Sequence, residues 1–222
     1  MSRNLSLLSR ASDIVVIALC LVALAVFLRR ESDASPSRNT RPIDIYRADW
    51  RSFLPSGTRI GSANAPVQVI ELADFECPGC RAFFFAWSAA KSRFGDSVAL
   101  TYVHFPLSYH RFAWLTATAV ECAKEQGRFA EMYALLFSKQ DSIGAKPLEA
   151  FAHEAHVTDS VAFRTCLSRP DTLPAVRRGL ALGKALSLRA TPTIFVNGLQ
   201  LGRPPSDAAL IAIIQRELTG KR

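Results

Sequence analysis

Apolar and β-branched residues crowd the run Val67-Gln68-Val69-Ile70-Glu71-Leu72-Ala73, which predicts a buried strand. Soon after it, Ala82-Phe83-Phe84-Phe85-Ala86-Trp87 and Ala89-Ala90 make a bulky apolar run, with polar Ser88, Lys91 and Ser92 around it, that predicts a largely buried helix from Pro78 to about Arg93. Gly95-Asp96 breaks the pattern, and Val98 to His104 reads as a second strand ending at Phe105-Pro106. Helical periodicity then covers Phe112–Glu125, Arg128–Lys139, Pro147–His156, Ser160–Leu167 and Leu173–Leu188. Strand character returns at Thr193–Val196 and Leu199–Leu201, joined by the hairpin signal Asn197-Gly198. A last helix runs from Ser206 to Leu218, with Ser206-Asp207 offering its N-cap.

This order is a β-α-β unit, an all-helical stretch and a β-β-α unit. It predicts an α/β, thioredoxin-like fold with a helical domain inserted over about residues 108–188. A right-handed crossover is expected for the first unit.

Ahead of that domain, Arg3 and Arg10 precede an apolar run from Ile14 to Leu28, and Arg29-Arg30 closes it. As a helix this run spans about 22 Å, less than the roughly 30 Å hydrocarbon core, so crossing a bilayer needs arginine snorkelling or local thinning. The expected organisation is an N-terminal flank at 1–13, a transmembrane or signal-anchor segment at 14–28, a tether at 29–58 and the folded domain at 59–222. A cleaved signal peptide ending near Ala23-Leu24-Ala25 is the rival reading, but Val26-Phe27-Leu28 carries the apolar run past that site. Cys20 reads as one more apolar residue of the segment. The tether is rich in Ser, Asp, Asn, Arg and Pro; Trp50, Phe53 and Leu54 near its end are candidates to dock on the domain. Arginines after the apolar run outnumber those before it, which by charge counting alone would keep the domain inside. Long domains translocate largely regardless of charge, and disulfide chemistry belongs outside, so the domain is expected to face the extracytoplasmic side.

Hydrophobic content of 49% argues for a globular domain, and a net charge of +8 is spread without any Lys/Arg run longer than two. Nucleic-acid binding is therefore not expected; mild attraction to an anionic membrane surface is.

The candidate chemistry lies at Cys77-Pro78-Gly79-Cys80. Two cysteines three positions apart at a strand-to-helix turn face the same way and can close a small disulfide ring. Cys77 falls at or next to the helix N-cap, where unpaired N–H groups and the positive end of the helix dipole favour a thiolate. Pro78 suits the first helical turn. A zinc site would need two further ligands in a second close pair; Cys20, Cys122 and Cys166 are single and far apart, so no metal is expected. Cys122 and Cys166 fall in separate predicted helices and are expected to form a structural disulfide, with two buried free thiols as the alternative. Asp74 and Glu76 read as solvated loop acids, and His104 and His110 as packing or helix-end residues.

Taken together, these residues resemble the DsbA family of bacterial thiol-disulfide oxidoreductases. The resemblance runs from about Arg59 to Leu218, through Ile60-Gly61, Ala65-Pro66-Val67, Asp74-Phe75-Glu76-Cys77-Pro78-Gly79-Cys80, Phe105-Pro106-Leu107, Glu121-Cys122-Ala123, Gln126-Gly127-Arg128-Phe129, Cys166-Leu167 and Ala190-Thr191-Pro192-Thr193. It implies that Pro192 is cis and lies beside the cysteines, at the residue type for which a cis peptide costs least. It also implies that the backbone of Thr191 pairs with an extended substrate segment. Glu71 matches a family position holding a buried acid, whose raised pKa suits proton exchange with Cys80; a surface acid is the bland alternative. Gly79 departs from the family's habit of placing a hydrogen-bonding side chain between the cysteines. The implied activity is an envelope dithiol oxidase without a cofactor, acting on cysteine-containing exported proteins and re-oxidised by a membrane quinone-linked partner. Running the same exchange as a reductase or isomerase is the alternative, and a peptide-binding module stapled by its cysteines is a third reading.

Overall fold

A computed structural model describes Leu19, residues 21–26, 44–169 and 174–220. The described part of the 14–28 segment, Leu19 and residues 21–26, is helical and exposed; the rest of it, including Cys20, lies outside the described residues, as does most of the tether. Among the described residues no helix is long and apolar enough to cross a membrane. Residues 42–222 form one compact unit, and the predicted helical insertion is part of it.

Among the described residues six strands make a mixed sheet: β1 (Ile45–Tyr46), β2 (Thr58–Ile60), β3 (Val67–Ala73), β4 (Val98–His104), β5 (Thr193–Val196) and β6 (Leu199–Gln200). Their order is β1-β6-β5-β3-β4-β2, with β3 and β4 parallel and the other neighbours antiparallel. Among the described residues of this unit, seven α-helices accompany them in chain order: α1 (Pro78–Phe94), α2 (Ala113–Lys124), α3 (Phe129–Ser138), α4 (Leu148–Glu154), α5 (Ser160–Leu167), α6 (Pro174–Ala185) and α7 (Asp207–Thr219). The parallel pair requires a crossover, and α1 supplies it.

The alternation along β3 sorts the core into two faces. Val67, Val69 and Ala73 point to the side covered by α1, α7 and the helices α2 to α5, in one large cluster with Phe83, Trp87, Leu136, Phe151 and Ile214. Ile70 and Leu72 point the other way, onto Trp50, Phe53, Val103 and Phe195, with Leu182 and Leu186 of α6 beside them. Along α1 the buried positions Cys80, Phe83, Phe84, Trp87 and Ala90 recur at helical spacing, which fixes the rotation of the helix and turns Cys80 inward. Burying a residue such as Phe83 stabilises this arrangement by about 1.5–3 kcal/mol. At the β5–β6 hairpin Asn197 and Gly198 both take positive φ, the turn for which Asn-Gly is suited. Gly198 also has no room for a side chain, since a Cβ there would sit 2.4 Å from Trp50 Cδ1.

The start of the domain differs from the sequence expectation. Residues 44–58, assigned to the tether, are part of the fold: β1 pairs with β6, a 3-10 turn runs over Trp50–Ser56, and β2 pairs with β4. Trp50 and Phe53 are 2% and 3% exposed. The segment has no periodicity of its own because it crosses one face of the sheet as a strap, and the strands it contributes are held by pairing with residues far along the chain.

Candidate active site

The turn between β3 and α1 sets Cys77 at the N-cap of α1 and Pro78 at its first position. The carbonyl of Cys77 accepts from the N–H groups of Cys80 and Arg81, so the helix begins at this residue. Held this way, Cys77 is 8% exposed and Cys80 is fully buried one turn below; both are free thiols.

Thr191 and Pro192, far along the chain, come to the same place at the entry to β5. Their peptide bond is cis, and Cys77 Sγ lies 3.3 Å from the Thr191 carbonyl oxygen, to which the thiol donates when protonated. The Thr191 hydroxyl is buried with no oxygen or nitrogen partner, which leaves it available to the Cys77 sulfur. Gly79 sits against Pro192: a Cβ built on it would be 3.0 Å from Pro192 Cδ and 3.6 Å from Cys77 Sγ. Beside them opens a groove of about 530 Å³, lined by Arg189, Thr191, Pro192, Thr193 and Arg203 among others.

Below the cysteines lies Glu71, on β3. It is fully buried, stands opposite Tyr102 of β4 and Ile194 of β5, and neither carboxyl oxygen has a hydrogen bond to protein. Burial, and next the charge on Cys77, push its pKa well above the usual carboxylate range.

The two thiols are poised in opposite senses. A hydrogen bond from the Cys80 thiol, outweighing the effect of burial, together with the Thr191 side chain and the backbone N–H groups of Cys80 and Gly79, lowers the Cys77 pKa to about 5. Burial, the same hydrogen bond and the charges of Glu71 and Cys77 push Cys80 well up. Near neutral pH the pair is therefore a thiolate that just reaches solvent and a fully buried, protonated thiol beneath it. A thiolate of this kind is both the nucleophile and the leaving group of disulfide exchange.

The surroundings of the turn correct one expectation. Asp74 is 2% exposed rather than solvated. Its carboxylate accepts from the N–H groups of Glu76 and Leu107, each at 2.8 Å, and lies 2.8 Å from His110 Nδ1. Glu76, half-buried, accepts from the N–H of Phe112. Both acids are drawn in because the loop after β4 brings unpaired N–H groups against the turn. Gln140 went unnoticed in the sequence and is a further clamp: its amide donates to the carbonyls of Phe75 and Cys77, at 2.7 and 3.0 Å. An isolated glutamine after a helix carries no signal of that role. His104 is buried on β4 and pairs with Glu121 at 3.0 Å, and its Nδ1 has no hydrogen-bond partner.

Cys77, Cys80, Glu71, Thr191 and Pro192 thus converge. Cys122 and Cys166 do not belong to this cluster; they are bonded to each other and tie α2 to α5, with Cα atoms 5.7 Å apart. No cluster of potential metal ligands occurs among the described residues.

A family model described as thioredoxin matches residues 54–216. The chain belongs to the thioredoxin family. Within it, the fold is similar to that of oxidised BdbD from Bacillus subtilis, with a TM-score of 0.66, 20% identity, and coverage of 82% of this chain and 100% of that one. A thioredoxin-like oxidoreductase from Silicibacter pomeroyi gives a TM-score of 0.63 at 19% identity, covering 78% and 98%. Among curated proteins, the thioredoxin-family domain is 34% identical over 165 residues to Na(+)/H(+) antiporter NhaA 3 of Salinispora tropica, covering 73% of this chain and 25% of that protein. The chain spans about a quarter of the length of the curated relatives it matches.

Proposed function

We propose that this protein is a thiol-disulfide oxidoreductase of the cell envelope that oxidises cysteine pairs in exported proteins through Cys77 and Cys80. The observation that carries the reading is the opposed poise of the two thiols, with Cys77 lowered to about 5 and Cys80 raised. A substrate thiolate attacks Cys77 Sγ of the oxidised pair. The Cys77–Cys80 bond breaks, its electron pair stays on Cys80, and Cys80 takes a proton from the Glu71 carboxyl. A second substrate thiolate then attacks the substrate sulfur of the mixed disulfide and releases Cys77 as a thiolate. A leaving group of low pKa speeds that release and favours the reduced enzyme, as an oxidant requires.

In this reading the groove at Thr191 and Pro192 receives the extended segment around the substrate cysteine. The segment at 14–28 holds the domain at the membrane, facing the periplasm or extracytoplasmic space, where a quinone-linked partner re-oxidises Cys77 and Cys80. The similarity to BdbD and to an oxidoreductase supports the chemistry. Ion transport, named for the longer relatives, is not carried over to this chain, which spans about a quarter of their length.

The test is the reduction potential of the Cys77/Cys80 pair, equilibrated against glutathione buffers. A value near the roughly −120 mV of strong oxidants supports the oxidase; one near the roughly −270 mV of thioredoxin makes the protein a reductase instead.

A further inference from the structure

The groove beside Cys77 carries an unbalanced charge. Its lining includes two arginines, Arg189 and Arg203, and no aspartate or glutamate. They come from different segments: Arg189 from the stretch that leads into Thr191 and Pro192, and Arg203 from the turn after β6, which the bond from the Leu201 N–H to the Ile194 carbonyl ties back to β5. Both residues are exposed, and among the described residues neither has an ion pair or a hydrogen bond from its side chain.

The acids of the surrounding turns are engaged with other donors. Asp44 accepts from the Gly202 N–H at 2.9 Å, and Arg47, 3.4 Å from Gln200 Oε1, offsets its charge. Asp74 accepts from the N–H groups of Glu76 and Leu107, and Glu76 from that of Phe112. Asp207 lies in the first turn of α7, at the positive end of that helix. On the α1 side of the cysteines Arg81 is matched by Asp141 at 2.8 Å. Charge is thus balanced on one side of Cys77 and left positive on the other.

The backbone of the groove is open as well. Arg189, Ala190 and Thr191 lie in neither helix nor strand, and among the described residues their N–H groups have no acceptor. Thr191 brings this edge to the sulfur, since its carbonyl oxygen is 3.3 Å from Cys77 Sγ. Arg189, two residues earlier, has its Cα within about 8 Å of that of Thr191. In an extended segment laid along the edge, side chains two positions apart share a face at about 7 Å. A residue two positions from a cysteine held at Thr191 is therefore set against Arg189.

Resting on the exchange reading, we infer that the groove selects substrates whose reactive cysteine lies in an extended segment flanked by acidic residues, and that Arg189 and Arg203 are the residues that read this charge. Half-buried Leu188 and buried Leu201 give the segment an apolar floor between them. Exposed pairs of this kind contribute modestly and act on encounter and residence, so the arginines set which substrate is taken and have no part in the exchange of sulfurs.

The experiment is single-turnover oxidation, by the oxidised full chain, of three two-cysteine peptides that differ only in holding Glu, Gln or Lys two positions to either side of each cysteine. Each rate constant is divided by that of the same peptide with a neutral small disulfide, which removes the effect of flanking charge on the thiol itself. Expected is a preference of about fivefold for the Glu peptide over the Gln peptide at low salt, with the Lys peptide slower still. The preference should shrink toward one near 1 M salt, where screening acts over about 3 Å. The Arg189→Gln/Arg203→Gln double variant should bring the three peptides within about twofold of one another, and Arg189→Glu/Arg203→Glu should reverse their order, which a distorted groove would not do. Equal rates for the three peptides with the parent protein, or a Glu preference that survives in the double glutamine variant, would overturn the assignment; with Cys77→Ala inactive, the exchange reading stands. Oxidation of the peptides by Cys77→Ala would remove that reading, and this one with it.

Discussion

Gly79 and Pro192 meet so closely that a single added methyl on Gly79 would come within 3.0 Å of the proline ring and 3.6 Å of Cys77 Sγ. The missing side chain between the cysteines is thus a matter of space as well as of hydrogen bonding. Gly79→Ala gains helix propensity of about 0.5–1 kcal/mol but overpacks the contact by about 1–3 kcal/mol. The expected result is a net destabilisation of about 1 kcal/mol and a Cys77 pKa that moves up as Thr191 is pushed away. Thiolate absorbance against pH, with urea unfolding, checks both.

The Cys77 shift makes the redox state of the protein pH-sensitive in a defined window. With a folded pKa of about 5 against about 8.5 for a free thiol, the reduced state binds fewer protons folded than unfolded between those values. This contribution to its stability relative to the oxidised state therefore rises with pH from about 5 to about 8.5 and is lost as pH falls through about 5; above about 8.5 the raised pKa of Cys80 works against it. Unfolding of the reduced and oxidised forms side by side at several pH values should show the gap widening in that direction.

Glu71 acts with the opposite sign. Its raised pKa means that the folded protein keeps a proton that the unfolded chain releases above about 4.3, so its burial takes stability away as pH rises through that value. In the oxidised protein, where Cys77 does not titrate, Glu71→Gln should flatten the decline and leave the variant more stable than the parent at neutral pH. A Glu71→Gln protein with the parent's pH dependence would contradict this.

Cys122 and Cys166 are 44 residues apart in sequence. Loop-closure entropy puts the bond's contribution at about 4 kcal/mol. Replacing both by alanine should lower the denaturation midpoint accordingly while peptide oxidation at Cys77 continues, which separates the structural bond from the reactive pair.

For Asp74→Ala, the loss of three hydrogen bonds to a buried carboxylate is expected to cost about 3 kcal/mol or more. Hydrogen exchange should quicken first at Glu76 and Leu107, whose N–H groups lose their acceptor.

How much of this was legible in the chain varies with the kind of interaction. Val67–Ala73, Val98–His104 and Thr193–Val196 are strands with the bounds read from pattern, because each is a buried run flanked by turn residues. The Cys-Pro-Gly-Cys turn and Thr191-Pro192 are equally visible, since their residue types carry the chemistry. Asp74 is not, because its partners Leu107 and His110 come from a loop beyond the next strand, and an acid seen alone in a turn looks solvated. Tyr102 and Tyr133 register in the pattern only as aromatic core, and nothing in sequence says that their hydroxyls lack partners. Trp50 and Phe53 do dock on the domain, as their apolar character in a polar stretch suggested, but their partners run from Ile70 to Phe195, a relation that no local window contains.

The strap over residues 44–60 has one more consequence. It provides β1 at one margin of the sheet and β2 at the other, so a single short stretch ends the sheet on both sides in strands of only two and three residues, which offer little backbone for a neighbour to add to. Without it, β6 and β4 become the outer strands, and β4 is seven residues long and wholly apolar or buried. A fragment beginning at Val67 would therefore carry two adhesive margins, and the first sign of its loss would be self-association in solution.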